Sequence, residues 1–123
     1  MLIVAIAVGG VVGTLLRWWV TGALPRMAGG IPRGTLAVNL VGSAVIGFVM
    51  RYGVATPQWS PQLRAGIVIG FCGAFTTMSS FAYELVRLGS EGATWRAGGY
   101  LLLTIVGCCA AVMLGSALAG RLL

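Results

Sequence analysis

The chain has 123 residues, 59% of them hydrophobic and 8% charged, with a mean hydropathy of +0.99. A soluble domain carries about 25% charged residues, so the main solvent of this chain is lipid, and residues 1–123 make one small transmembrane domain. The formal charge of +6 sets eight arginines against Glu84 and Glu91, with no His, Asp or Lys, which excludes a His/carboxylate metal cluster, leaves too little acid–base machinery for an enzyme, and scatters cations singly at segment ends as interfacial anchors, not as a nucleic-acid patch.

A hydrocarbon core about 30 Å thick takes about 20 residues of helix. Four stretches supply them, at about 2–24, 34–52, 62–89 and 94–120. Pro25, Gly29, Gly30 and Pro32 punctuate the first connection, Pro57 and Pro61 the second, and Gly89 to Gly92 the third. Leu2 onward reads as a retained span because no basic segment precedes the apolar run.

In the first span, Gly9 and Gly13 make a GxxxG face for close helix approach. Arg17 follows one turn later, near enough to the span's end either to snorkel to the interface or to line an anion-attracting vestibule. Trp18 and Trp19 read as interface-belt residues. In the second span Thr35, Asn39 and Ser43 recur every four residues and share one face, either as hydrogen-bonding glue between helices or as a polar track.

The third span carries the unusual stretch Gly70-Phe71-Cys72-Gly73-Ala74-Phe75-Thr76-Thr77-Met78-Ser79-Ser80-Phe81-Ala82-Tyr83-Glu84. It thins to small residues and then places hydroxyls and a carboxylate at membrane depth, where polarity is functional by default. Its centre, Gly73 to Thr76, is a predicted break in the helix. Broken backbone is tolerated there only if it is buried in protein or lines a cavity, and its freed carbonyls can hold a cation. In the fourth span Gly107, Ala111, Gly115 and Ala119 form a small-residue seam, with Tyr100 and Thr104 on the same stripe facing either a neighbouring helix or a pore. Cys72, Cys108 and Cys109 all lie in apolar runs and read as packing residues.

Simple alternation of four helices puts Arg51, Arg64 and Arg121 on one side, and Arg26, Arg33, Arg87 and Arg96 with Glu91 on the other. Orientation follows the Lys/Arg bias of short loops, and here there is almost none. Insertion both ways up follows, and with it an antiparallel homodimer whose two-fold axis lies in the membrane plane. Two breaks would then meet on the axis, supplying four carbonyl oxygens to a hard ion the size of Na⁺.

Gly9-Gly10 through Gly13 and Arg17, then Gly34-Thr35-Leu36-Ala37-Val38-Asn39, then Gly70 to Thr77, resemble the Fluc (CrcB) family of small fluoride channels over essentially the whole chain. The resemblance implies an all-α, antiparallel dual-topology homodimer in the cell membrane, with a central structural Na⁺ and two narrow fluoride paths that lower cytoplasmic fluoride. By resemblance, the carbonyls of Gly73 and Thr76 hold the Na⁺, Asn39 and Tyr100 belong to the path, Ser79 and Ser80 form its hydroxyl track, and Glu84 sits near a mouth. Phe81 matches one of two family phenylalanines whose ring edges face the ion; Met78 stands at the other, and Cys108 replaces a serine of the family's polar track. The chemistry suits fluoride, which needs donors in place of water: the Asn39 amide and the hydroxyls of Ser79, Ser80 and Thr104 are donors, and an aromatic edge is positive. The rival reading is a dual-topology small multidrug exporter, which depends on a carboxylate in its first helix; residues 2–24 offer Arg17 and no acid. A structural assembly subunit is a third reading, in which the polar residues only join helices.

Overall fold

A computed structural model describes residues 1–24 and 30–123. The predicted turn residues Pro25 and Gly29, and Arg26 in the charge comparison, lie outside the described residues. Among the described residues four apolar helical spans are long enough to cross a membrane, and the chain is a multi-pass membrane protein.

The first span is α1 (Leu2–Ala23) and the second is α2 (Arg33–Ala55). The third runs from Pro61 to Ser90 in four pieces: α3 (Pro61–Ala65), a π-helical stretch (Gly66–Cys72), α4 (Gly73–Phe75) and α5 (Met78–Ser90). The fourth span is α6 (Thr94–Gly120). These bounds agree with the sequence expectation to within a few residues at each end. The π stretch was not anticipated; such bulges are rare and favour functional sites.

Local chemistry sets the ends. Pro61 occupies the first turn of α3, where its missing N–H is no loss, and the Ser60 hydroxyl accepts from Leu63 N–H at 3.2 Å. Gly92, at φ +78°, makes the left-handed turn into α6 that a side chain would strain. Between α5 and α6, Arg87 and Glu91 form an exposed ion pair at 3.1 Å, a surface contact of little weight.

Packing runs along glycine faces. The GxxxG face of α1 meets the π stretch: a Cβ on Gly9 would strike the Gly66 carbonyl, and one on Gly13 the Phe71 carbonyl. The expected seam of α6 lies against α2, where a Cβ on Gly115 would strike the Ala44 carbonyl and one on Gly47 the Val112 carbonyl. With lipid on both sides of the comparison there is no hydrophobic force between spans, so such backbone approach carries the van der Waals contact that holds them. The α2 helix and the third span are the more interior elements. The α1 helix buries only Gly13, while Val8, Val11, Leu15, Leu102, Val106 and Met113 of α1 and α6 are largely exposed and face the bilayer.

Candidate functional site

The site grows from the joint between α4 and α5. Phe75 is the last residue of α4; Thr76 (ψ 160°) and Thr77 (φ −151°, ψ 109°) are extended, and α5 restarts at Met78. The predicted break therefore exists, centred on Thr76 and Thr77 at the C-terminal edge of the predicted Gly73–Thr76 segment.

Asn39 holds this joint. Its Oδ1 accepts from Thr77 N–H at 2.8 Å, and its Nδ2 donates to the Thr77 carbonyl at 3.2 Å. The amide thus satisfies both backbone groups of an extended residue in hydrocarbon, where each orphan costs several kcal/mol by the transfer scale. Gly42, one turn on, lets the joint sit close: a Cβ there would collide with Thr76 Cγ2. Asn39 is 8% exposed and keeps one N–H to spare.

On the α5 side, Thr77 caps the restarted helix. Its hydroxyl accepts from Ser80 N–H at 3.2 Å, donates to Ser80 Oγ at 3.0 Å and lies 3.3 Å from Ser79 Oγ. These hydroxyls face an open basin of about 510 Å³ whose other walls include Thr14, Arg17, Thr21, Thr35 and Glu84. Arg17 Nη1 donates to the Thr76 carbonyl at 3.3 Å, so the arginine turns inward to the joint and does not snorkel away. Glu84 accepts from Thr35 Oγ1 at 3.0 Å and from Tyr100 Oη at 2.8 Å.

On the other side of the joint is a groove of about 430 Å³ lined by Asn39, Ser43, Thr76, Met78, Thr104 and Cys108, with apolar walls otherwise. Met78 is 69% exposed at its edge. Thr104 is 5% exposed and its Oγ1 is a buried hydroxyl without a partner. The predicted residues are thus divided. Ser79, Ser80, Arg17 and Glu84 gather in the basin; Asn39, Met78 and Thr104 gather in the groove. Phe81 and Tyr100 line neither cavity in the single subunit, being 2% and 0% exposed and packed edge-on at 5.0 Å and 67°. Tyr100 reaches the basin only through Glu84.

The polar face of α2 joins the two cavities. Thr35 faces the basin, Asn39 the joint and Ser43 the groove, a run of about 12 Å at 1.5 Å per residue. Thr14 and Thr21 were missed in the sequence, although with Arg17 they fall at i, i+3 and i+7 and so share a helix face.

The joint also tests the cation expectation. The donor that would normally bond the Gly73 carbonyl, Thr77 N–H, is taken by Asn39. Gly73 is exposed, and a Cβ there would meet nothing. The Gly73 carbonyl therefore lacks that helical donor, and its residue lies on an uncovered face near mid-span. The Thr76 carbonyl accepts one bond from Arg17 and keeps a second lone pair. Two such oxygens per subunit fit a hard monovalent cation.

The family profile described as "CrcB-like protein, Camphor Resistance (CrcB)" matches residues 4–116. Proteins named "Fluoride-specific ion channel FluC" are similar along nearly the whole chain. That of Chlorobium phaeobacteroides (strain BS1) is 42% identical over 114 residues, 93% of this chain and 89% of its own. That of Pseudomonas aeruginosa (strain UCBPP-PA14) is 43% identical over 113 residues, covering 85% and 89%, and that of Methanococcus maripaludis is 42% identical over 113 residues, covering 92% and 91%.

Proposed function

The chain belongs to the CrcB family, and from that premise we propose that it is a passive, fluoride-selective channel of the cell membrane that lets fluoride leave the cytoplasm. It is a channel and not an enzyme. The observation that carries the reading is the α2 stripe Thr35, Asn39 and Ser43, which runs from a basin holding a guanidinium, past the joint, to a groove with an unsatisfied buried hydroxyl. The Arg17 charge concentrates anions in the basin. The hydroxyls of Thr77, Ser79 and Ser80 and the spare N–H of Asn39 replace water, and Thr104 Oγ1 is a further donor beyond the joint. None of these donors is a full cation, so each holds the ion weakly enough to release it.

The functional unit is an antiparallel dual-topology homodimer. Support comes from the near balance of arginines, and from the bare Gly73 face, which a second copy turned over would cover with its own Gly73. The loosened Gly73 carbonyl and the second lone pair of the Thr76 carbonyl, from both subunits, are the groups that would hold a structural Na⁺. In the dimer, Phe81 with Tyr100 behind it would stiffen the path wall. The exporter reading lacks its carboxylate: among the described residues of α1 there is no acid.

Purified protein in liposomes decides this. Fluoride efflux is expected to be fast and chloride efflux slower by at least a hundredfold; equal rates, or no flux, would sink the reading. Replacing Na⁺ by a large organic cation during purification is expected to lower thermal stability, and an unchanged melting curve would remove the cation from the account.

A further inference from the structure

Arg17 reaches the joint because of how α1 approaches it. One turn earlier, Gly13 lies so close to the third span that a Cβ would strike the Phe71 carbonyl and crowd the Phe75 nitrogen. The arginine stem therefore starts beside the end of α4, and Nη1 meets the Thr76 carbonyl at 3.3 Å. That carbonyl belongs to neither helix. Thr76 follows the last residue of α4 and precedes Thr77, the cap of α5, and Ser80 N–H, four residues on, bonds Thr77 Oγ1 instead. The bond from Arg17 takes one of its two lone pairs. The other is the one assigned above to a monovalent cation.

The guanidinium has no acid beside it. Among the described residues no carboxylate forms an ion pair with Arg17: Glu91 pairs with Arg87, and Glu84, although it lines the same basin, accepts from the hydroxyls of Thr35 and Tyr100. A charge at membrane depth calls for a countercharge. The open basin of about 510 Å³, with the hydroxyls of Thr77, Ser79 and Ser80 in its wall, has room for a small anion to supply it.

We infer that Arg17 couples two ions: an anion resting on its guanidinium in the basin raises the affinity of the joint for the cation, and cation binding raises the affinity of the basin for the anion. The inference rests on the reading of the Gly73 and Thr76 carbonyls as cation ligands. Two positive partners on one oxygen repel each other, and most strongly where the dielectric is low. With no anion in the basin, Arg17 opposes the cation. An anion beside the guanidinium offsets its charge and competes with the Thr76 carbonyl for its N–H groups, so the opposition falls. One coupling free energy serves both ions, so each changes the other's affinity by the same factor. The centre of the dimer is then firmest when the anion that the channel passes is at hand. An arginine that merely braced the joint would act with the opposite sign, since losing its bond would loosen Thr76 and weaken the cation site.

The readout is the melting temperature of the full chain in detergent, titrated with Na⁺ against N-methyl-D-glucamine at constant ionic strength, with fluoride or isethionate as the anion. In the unaltered protein the Na⁺ midpoint of stabilisation should be about tenfold lower in fluoride, within the roughly 5–150-fold range of such couplings. Arg17→Gln removes the charge and keeps a donor for the Thr76 carbonyl. Its midpoint in isethionate should lie about tenfold below that of the unaltered protein and no longer depend on the anion. Arg17→Lys restores the charge and should restore the dependence. A midpoint of the unaltered protein that is the same in both anions overturns the coupling, whatever the variants do. A shift that survives in Arg17→Gln, or a midpoint raised by that change, overturns the role of Arg17. Melting that ignores Na⁺ altogether removes the cation reading and the coupling with it, a different result from a Na⁺-dependent curve that fluoride does not move.

Discussion

The basin and the groove are two sides of one broken helix, and they differ in charge. The basin gathers Arg17, Glu84 and a cluster of hydroxyls, whereas the groove holds an amide, isolated hydroxyls and thioether and thiol sulfur among apolar walls. A guanidinium draws anions in but would trap one held against it in a low dielectric. Placing the charge on one side of the joint and neutral dipoles on the other separates recruitment from passage. Asn39 is the partition, since it faces the groove while fixing the residue, Thr77, whose hydroxyl opens onto the basin.

The largest effect should come from removing that partition. Asn39→Ala orphans Thr77 N–H and C=O together; interhelical hydrogen bonds in membranes average about 0.6 kcal/mol and reach about 1.7, so losing the pair costs about 1–3 kcal/mol. Fluoride efflux should fall roughly a hundredfold, since about 1.4 kcal/mol is tenfold, with a lower melting temperature in detergent. Asn39→Asp keeps the acceptor for Thr77 N–H but sets a carboxylate oxygen against the Thr77 carbonyl and a negative charge on an anion path, and efflux should fall as far. Unaltered efflux in both variants would move the path away from the joint.

Arg17 comes next, because it separates the two cavities by mechanism. Arg17→Gln removes the recruiting charge while keeping a donor for the Thr76 carbonyl. Efflux at low ionic strength should fall about tenfold, within the range of electrostatic steering, and the gap should narrow in salt as the Debye length drops to about 8 Å. A loss that is the same at all ionic strengths would make Arg17 a strut of the joint only.

The two cavities were not equally legible in the sequence. Spans, glycine seams and the break could be read because each follows from a local rule: apolar length, small-residue spacing, and hydroxyls at membrane depth. The basin was half visible, through Arg17, Ser79, Ser80 and Glu84; Thr14 and Thr21 were passed over because threonine in a span commonly bonds its own helix, as Thr21 does to the Arg17 carbonyl at 2.8 Å. The groove was hardest, since it depends on how α2 and α6 meet the joint. Nor does a sequence tell that the Asn39 amide is committed to one backbone residue, or that Phe81 turns its ring to Tyr100 and away from both cavities.

Thr104→Val sharpens the groove side with a smaller effect. The swap keeps shape and deletes an unsatisfied buried hydroxyl, so the protein should be unchanged or more stable by about 1 kcal/mol, while efflux falls about fivefold for want of a donor. Stability and flux moving in opposite directions is the signature of a group kept for transport; a joint loss would mark Thr104 as structural.

Met78 should give the smallest change. It lies at the groove edge with most of its surface uncovered, and truncation of a mostly uncovered side chain stays within about 0.5 kcal/mol. Met78→Ala should therefore leave the melting temperature alone and change efflux by no more than about threefold, widening an apolar wall that holds no donor. A loss of about 2–5 kcal/mol is what truncating a packed methionine gives. Such a result in the membrane would mean that a second copy of the chain closes over Met78, making the groove a dimer contact at this point and confining the path to the basin side of Asn39.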